Sequence, residues 1–136
     1  MVEMKGTYER TSADKYDEFL TALGVNMPLR KAATDSTPGM EVSEENGEWT
    51  IKTSTMLKSM ELKFKLGEKI DEKTPDGREV ESVVTKEGDK LITVQTAKKE
   101  GEKSTKSTRE FFDDKCVLTI EIVGTDTVCT QTFTRK

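Results

Sequence analysis

The residues with the most chemical potential lie in two alternating stretches of the C-terminal third. In Thr105-Lys106-Ser107-Thr108-Arg109-Glu110-Phe111, a period of two puts Ser107, Arg109 and Phe111 on one face and Lys106, Thr108 and Glu110 on the other. In Val128-Cys129-Thr130-Gln131-Thr132-Phe133, the shared face is Cys129, Gln131 and Phe133. If the faces bearing Phe111 and Phe133 point inward, Arg109 and Gln131 go with them. A guanidinium keeps its proton, so inside a protein it requires an anion or water. A ligand carboxylate meets that requirement through charge-assisted hydrogen bonds, with the Gln131 amide donating another. The alternative places Arg109 in solvent beside a glutamate, and spacing alone leaves both open.

Other candidates carry less. Cys116 and Cys129 are either a disulfide or, in a reducing compartment, small buried thiols. Lys98 to Lys103 reads as a solvated turn, and Asp113-Asp114 as turn formers. Arg30 and Lys31 are a surface pair or a contact for anionic lipid. Met27, Met56 and Met60 are adaptable wall residues or core. The chain has no histidine, which removes the commonest general base, the Ser/His and Cys/His pairs and any histidine metal site. Two cysteines cannot form a tetrahedral thiolate site, so no metal and no cofactor is expected. An enzyme, for instance a lipid isomerase, needs an interior acid/base pair that is not in view.

Charge and targeting narrow the class further. With 22 Lys plus Arg against 26 Asp plus Glu, the net charge is −4, which lacks the field that gathers phosphate backbones. One Trp, two Tyr and five Phe are too few for a base-stacking platform, so nucleic acid is not an expected partner. No apolar run reaches the roughly 18 residues of a membrane-crossing helix. Met1-Val2-Glu3-Met4-Lys5 has neither the apolar core nor the cleavage site of a secretory signal, so a cytoplasmic, reduced protein is expected.

The elements that position these residues are mostly strands. From Ala13 to Leu23, Tyr16, Phe19, Leu20 and Leu23 fall at i, i+3, i+4 and i+7, which predicts one amphipathic helix ended by Gly24. A second short helix is predicted from Pro28 through Leu29, Ala32 and Ala33, giving a helix–turn–helix. After Gly39 the pattern has a period of two: Glu48 to Thr53, Met60 to Leu66, Glu79 to Thr85, Lys90 to Thr96, Ser104 to Phe112, Lys115 to Val123 and Thr127 to Arg135. Turn residues such as Glu45-Asn46-Gly47, Glu87-Gly88-Asp89 and Gly124-Thr125-Asp126 separate the runs, and no linker divides residues 1–136, so one all-β antiparallel domain is expected. Only 32% of residues are hydrophobic, so the strands cannot build two packed sheets, and closing into a barrel or clam removes the exposed edges instead. Besides Trp49, Leu62 and Phe64, the inward register carries Thr53, Thr55, Thr93, Gln95, Arg109 and Gln131, a composition suited to a hollow interior rather than a solid core.

Several motifs stand out together: Gly6-Thr7-Tyr8 followed by Tyr16-Asp17-Glu18-Phe19-Leu20, then Ala22-Leu23-Gly24-Val25, Leu29-Arg30-Lys31, Phe64-Lys65-Leu66-Gly67-Glu68 and Asp71-Glu72-Lys73-Thr74-Pro75-Asp76-Gly77-Arg78. With them the chain resembles the intracellular lipid-binding proteins, the cytosolic family of fatty-acid-binding and cellular retinoid-binding proteins. The likeness spans essentially the whole chain and departs at Arg10, a usually apolar place, and at Lys15. It implies a ten-stranded antiparallel barrel (a β-clam, calycin-like) capped by the helix–turn–helix and enclosing a large water-filled cavity. In many carboxylate-binding members two arginines and a tyrosine hold the headgroup. Here Arg109 matches the first arginine, Gln131 replaces the second and Phe133 replaces the tyrosine. The Gln-x-Phe ending is similar to retinol binders and Arg109 to fatty-acid binders. The implied function is a monomeric, non-enzymatic carrier of a long-chain fatty acid, with a retinoid (retinol or retinoic acid) as the alternative ligand and transient membrane contact allowed. The expected ligand-binding residues are Arg109, Gln131, Phe133, Tyr16, Thr53, Leu62, Gln95 and Met60, and the implied entry portal is Leu29, Ala33, Leu57 and Asp76.

Overall fold

Alternation along the chain becomes a single rolled sheet. The computed structural model describes residues 3–28, 30–31, 37–54, 59–73 and 78–136. Within them lie β1 (Gly6–Asp14), α1 (Tyr16–Ala22), β2 (Gly39–Glu45), β3 (Glu48–Ser54), β4 (Ser59–Lys65), β5 (Lys69–Lys73), β6 (Glu79–Glu87), β7 (Lys90–Ala97), β8 (Thr105–Phe111), β9 (Lys115–Ile122) and β10 (Val128–Arg135). The strand order is β4-β3-β2-β1-β10-β9-β8-β7-β6-β5, in which only the β1–β10 pair joins strands distant in sequence. Residues from β1, β4, β6, β7 and β8 meet in one cluster, Tyr8, Phe64, Val84, Leu91 and Phe111 among them. A flat sheet cannot bring its far strands together, so the ten strands form a nearly closed barrel. At the β2–β3 hairpin both Asn46 (φ 52°) and Gly47 (φ 85°) take left-handed geometry, the pairing that matches strand twist.

Three strands lie outside the predicted alternating runs, each for a local reason. β1 carries Arg10 on its inward face, β5 is an edge strand with Ile70 as its single apolar residue, and β2 has only Met40 and Val42. The helix is also shorter than the predicted Ala13 to Leu23. Ala13 and Asp14 remain in β1, opposite Gln131 and Thr130, and Lys15 (φ 60°) turns the chain into α1. Strand pairing, which spacing does not see, overrides the first turn of the helical pattern. Beyond Gly24 (φ 86°), Met27, Pro28, Arg30 and Lys31 are helical, while Ala32 and Ala33 lie outside the described residues.

Hydrocarbon fills one end of the barrel. Met4, Tyr8, Met40, Val42, Ile51, Phe64, Val84, Leu91, Phe111, Cys116, Leu118 and Phe133 form a single packed cluster there. At the other end α1 inserts Phe19 and Leu20 against Ile122 and Cys129. The packed end is tied by Tyr8, whose hydroxyl donates to Met4 O at 2.8 Å and accepts from Arg135 Nη2 at 2.6 Å. Arg135 also donates to the carbonyls of Lys5 (2.9 Å) and Asp113 (3.1 Å). Gly6 leaves it room, since a Cβ there would stand 2.5 Å from Arg135 Nη1. Tyr8→Phe strands these partners at a buried position and is expected to lower unfolding free energy by about 1–2 kcal/mol. Urea denaturation checks this, and an unchanged midpoint would show the hydroxyl to be energetically idle.

Candidate ligand site

Cross-strand register arranges the inward residues in layers. Lowest lie Phe111, Cys116, Phe133 and Arg10, which are successive partners across β8, β9, β10 and β1. Next come Leu91, Arg109, Leu118 and Gln131, with the exposed Ala13 opposite Gln131, then Thr93, Ser107, Ile120 and Cys129, and finally Ser82, Gln95, Thr105 and Ile122. Arg109 and Gln131 therefore share a face, separated by Leu118, just above the hydrocarbon floor. Directly opposed antiparallel residues always project to the same side.

Arg109 is enclosed deep in the molecule, yet the residue is only half-buried. Its register partners Leu91 and Leu118 and its strand neighbour Phe111 are all buried, so Arg109 takes the inward side of the sheet rather than the outer one. Burial disfavours the charged guanidinium and pushes its pKa down, against the opposing fields of Cys116 and Glu72. Among the described residues, three buried side-chain atoms have no hydrogen-bond partner: Glu102 Oε1, between β7 and β8, and the pair Arg109 Nε and Thr93 Oγ1. The residues of that pair stand on adjacent strands one layer apart. A buried donor left without an acceptor is costly, so neighbouring orphans mark a place where a polar guest fits.

Gln131, 5% exposed, has both ends of its amide engaged. Its Oε1 accepts from Arg10 Nη1 at 3.2 Å, and its Nε2 approaches Cys129 Sγ at 3.7 Å. The Arg10 guanidinium also lies 5.0 Å from the Tyr16 ring centroid, which places Tyr16 at the edge of the same polar group. Gln95 belongs to a second group near the helix-capped end. Its Nε2 donates to Glu72 Oε1 (2.7 Å), which also accepts from Ser82 Oγ (2.8 Å), while Thr105 Oγ1 donates to Gln95 Oε1 (2.8 Å).

The remaining expected residues are spread around the barrel. Phe133 is buried in the floor cluster, one layer below Gln131. Thr53 and Met60 are half-buried partners on β3 and β4, in line with Tyr8 and Met40, and Leu62 pairs with Ile51. These three belong to the arm remote from β8 in strand order and do not share the rows of Arg109 and Gln131. Leu29, Ala33, Leu57 and Asp76, named for the portal, lie outside the described residues. Arg30 is tied down, donating to Asp17 Oδ1 at 3.2 Å and to Val25 O at 2.8 Å. Cys116 and Cys129 are free, buried thiols. Burial pushes Cys116 up to about 12, against the pull of Arg109 and Arg135.

Two inward polar residues, Glu72 and Arg10, lie outside the set that the sequence predicts. Alternation with Ile70 signals an inward Glu72, and alternation with Tyr8 signals an inward Arg10, but strands so poor in apolar residues give little to alternate against.

A profile of the Lipocalin / cytosolic fatty-acid binding protein family matches residues 5–136. The chain belongs to that family. It is 41% identical over 129 residues to a fatty acid-binding protein of Tyrophagus putrescentiae, covering 94% of this chain and 95% of that one. It is 37% identical over 139 residues to human cellular retinoic acid-binding protein 1, covering all of both chains. Among solved structures, the apo form of lipid binding protein 8 of Caenorhabditis elegans superposes with a TM-score of 0.93 at 28% identity, covering 100% and 99% of the two chains. Family membership agrees with the barrel and with the resemblance carried by the motifs. Where the resemblance implies a second headgroup arginine, this chain has Gln131, which accepts from Arg10 of β1.

Proposed function

We propose that this protein is a cytosolic, monomeric, non-enzymatic carrier of a long-chain fatty acid, whose carboxylate docks at Arg109 with Thr93 and Gln131 beside it. The observation that carries this reading is the enclosed guanidinium of Arg109 with its unpartnered Nε on an inward, half-buried face. Two relatives are named for fatty acids and for retinoic acid, and both ligands are carboxylic acids. A carboxylate at Arg109 gains a charged hydrogen bond of about 1.5–3 kcal/mol, which a retinol hydroxyl does not match. The chain supplies most of the affinity: about 15 methylenes at about 0.8 kcal/mol each give up to about 12 kcal/mol, from which ordering removes several. Because hydrocarbon closes the floor, the ligand enters past the helix-capped end, where the polar Ser82, Gln95 and Thr105 lie. Thr53, Met60 and Leu62 line the wall along the acyl chain, and Tyr16 and Phe133 bound it above and below.

Retinoic acid is the second reading, supported by the full-length similarity to cellular retinoic acid-binding protein 1. The delipidated protein is offered oleate, all-trans retinoic acid and retinol in equal amounts and weighed intact. A 1:1 oleate complex in excess is expected, with retinol least retained. Dominant retinoic acid would reverse the ligand assignment, and no 1:1 complex with either acid would end the carrier reading.

A further inference from the structure

Arg10 occupies an inward position of β1, opposite Phe133, where alternation with Tyr8 calls for an apolar side chain. It is 7% exposed, and burying so large a cation is unfavourable unless its hydrogen bonds are used. A bulge follows at once: Arg10 pairs with Phe133 and Ser12 with Thr132, so Thr11 has no opposite number. Bulges re-aim neighbouring side chains. Arg10 rises from the floor layer to the layer above, where its Nη1 meets Gln131 Oε1 at 3.2 Å. Its contact with the Tyr16 ring, at 5.0 Å, holds it on the α1 side.

This contact has a chemical consequence for Gln131. An amide can present either its oxygen or its nitrogen to a guest. With Oε1 occupied by a guanidinium, Gln131 turns its N–H₂ group away from Arg10, toward Cys129 Sγ and the interior. The amide is thereby fixed as a donor on the face it shares with Arg109. Arg10 also adds a positive charge in a region where screening by solvent is weak. We propose that Arg10 is a specificity-determining residue of the headgroup site: it orients Gln131 as a donor and, with Arg109, biases the cavity toward carboxylates over alcohols. The proposal rests on the carrier reading above.

The test is the ratio of oleate to oleyl alcohol affinity, measured by titration of the delipidated protein. Arg10→Met is expected to lower that ratio about tenfold, chiefly by weakening oleate. Arg10→Lys keeps a charge but loses the planar fork, and is expected to lower the ratio about threefold. Gln131→Leu is expected to lower it in the wild-type background and by clearly less in the Arg10→Met background, because the two side chains act as one unit. A purely structural Arg10, holding α1 through Tyr16, would weaken both ligands equally and leave the ratio intact. That result overturns the proposal, as does a ratio unchanged in Arg10→Lys and Gln131→Leu should Arg10→Met fail to fold. Arg109→Gln is measured alongside. If it abolishes the preference while Arg10→Met does not, only the role of Arg10 falls; if neither variant shifts the ratio, the carboxylate anchor itself is wrong.

Discussion

Arg109→Leu is expected to make the empty protein more stable and the loaded protein much weaker. In the empty barrel the Arg109 guanidinium is desolvated and its buried Nε has no acceptor among the described residues. Leucine removes that cost and extends the apolar row of Leu91 and Leu118, its two neighbours in register. A gain of about 1–3 kcal/mol in unfolding free energy follows, the scale of an unsatisfied buried polar group. Oleate loses its charged hydrogen bonds, so its affinity falls about 10- to 100-fold. Arg109→Gln weakens oleate in the same sense and improves retinol, since an amide serves a hydroxyl without leaving a charge behind. Urea midpoints and oleate titrations on the same samples check the pair of effects. A variant that is both less stable and equally good at binding oleate would show that Arg109 is a structural cation with no part in the site.

Alkaline loss of stability should trace to Cys116. Burial raises its native pKa to about 12, from an ordinary value of 9.0. The sign follows from proton linkage. Above pH 9 the unfolded thiol releases its proton while the native one keeps it, so the unfolded state is increasingly favoured. The contribution of Cys116 is complete below about pH 9 and is lost as the pH climbs toward 12, at about 1.4 kcal/mol per pH unit. Over that window the loss is on the order of 4 kcal/mol. Tyr8 and Cys129, raised mainly by burial, act in the same direction. Urea midpoints between pH 8 and 11 are expected to fall steeply for the natural chain and less steeply for Cys116→Ala. Parallel slopes for the two proteins would show that Cys116 is not the group responsible.

The inward faces of β8 and β10 are legible where side-chain parity and chemistry coincide. Arg109 and Gln131 ride on strands whose other inward residues, Phe111, Leu118 and Phe133, are apolar enough to set the face. Arg10 and Glu72 share that inward direction, but their strands hold so few apolar residues that the period is faint. The helical pattern begins earlier than α1 itself for a related reason. Ala13 and Asp14 satisfy a helical pattern, yet their backbone is claimed by β10, whose contribution is invisible to local spacing.

What the residues alone determine here is the two-fold alternation, the turn positions and the absence of histidine, because each depends only on neighbours along the chain or on composition. These suffice for an antiparallel all-β container and for placing Arg109 on the same strand face as Phe111, while the direction of that face is left to the fold. The tertiary structure decided which polar residues meet. Arg10 and Gln131 are separated by 121 positions and come within 3.2 Å only because β1 pairs with β10 and a bulge tilts the arginine upward. Register across a closing sheet is a long-range property, and it is register that turns Gln131 from one residue on a strand into an amide with a defined donor face.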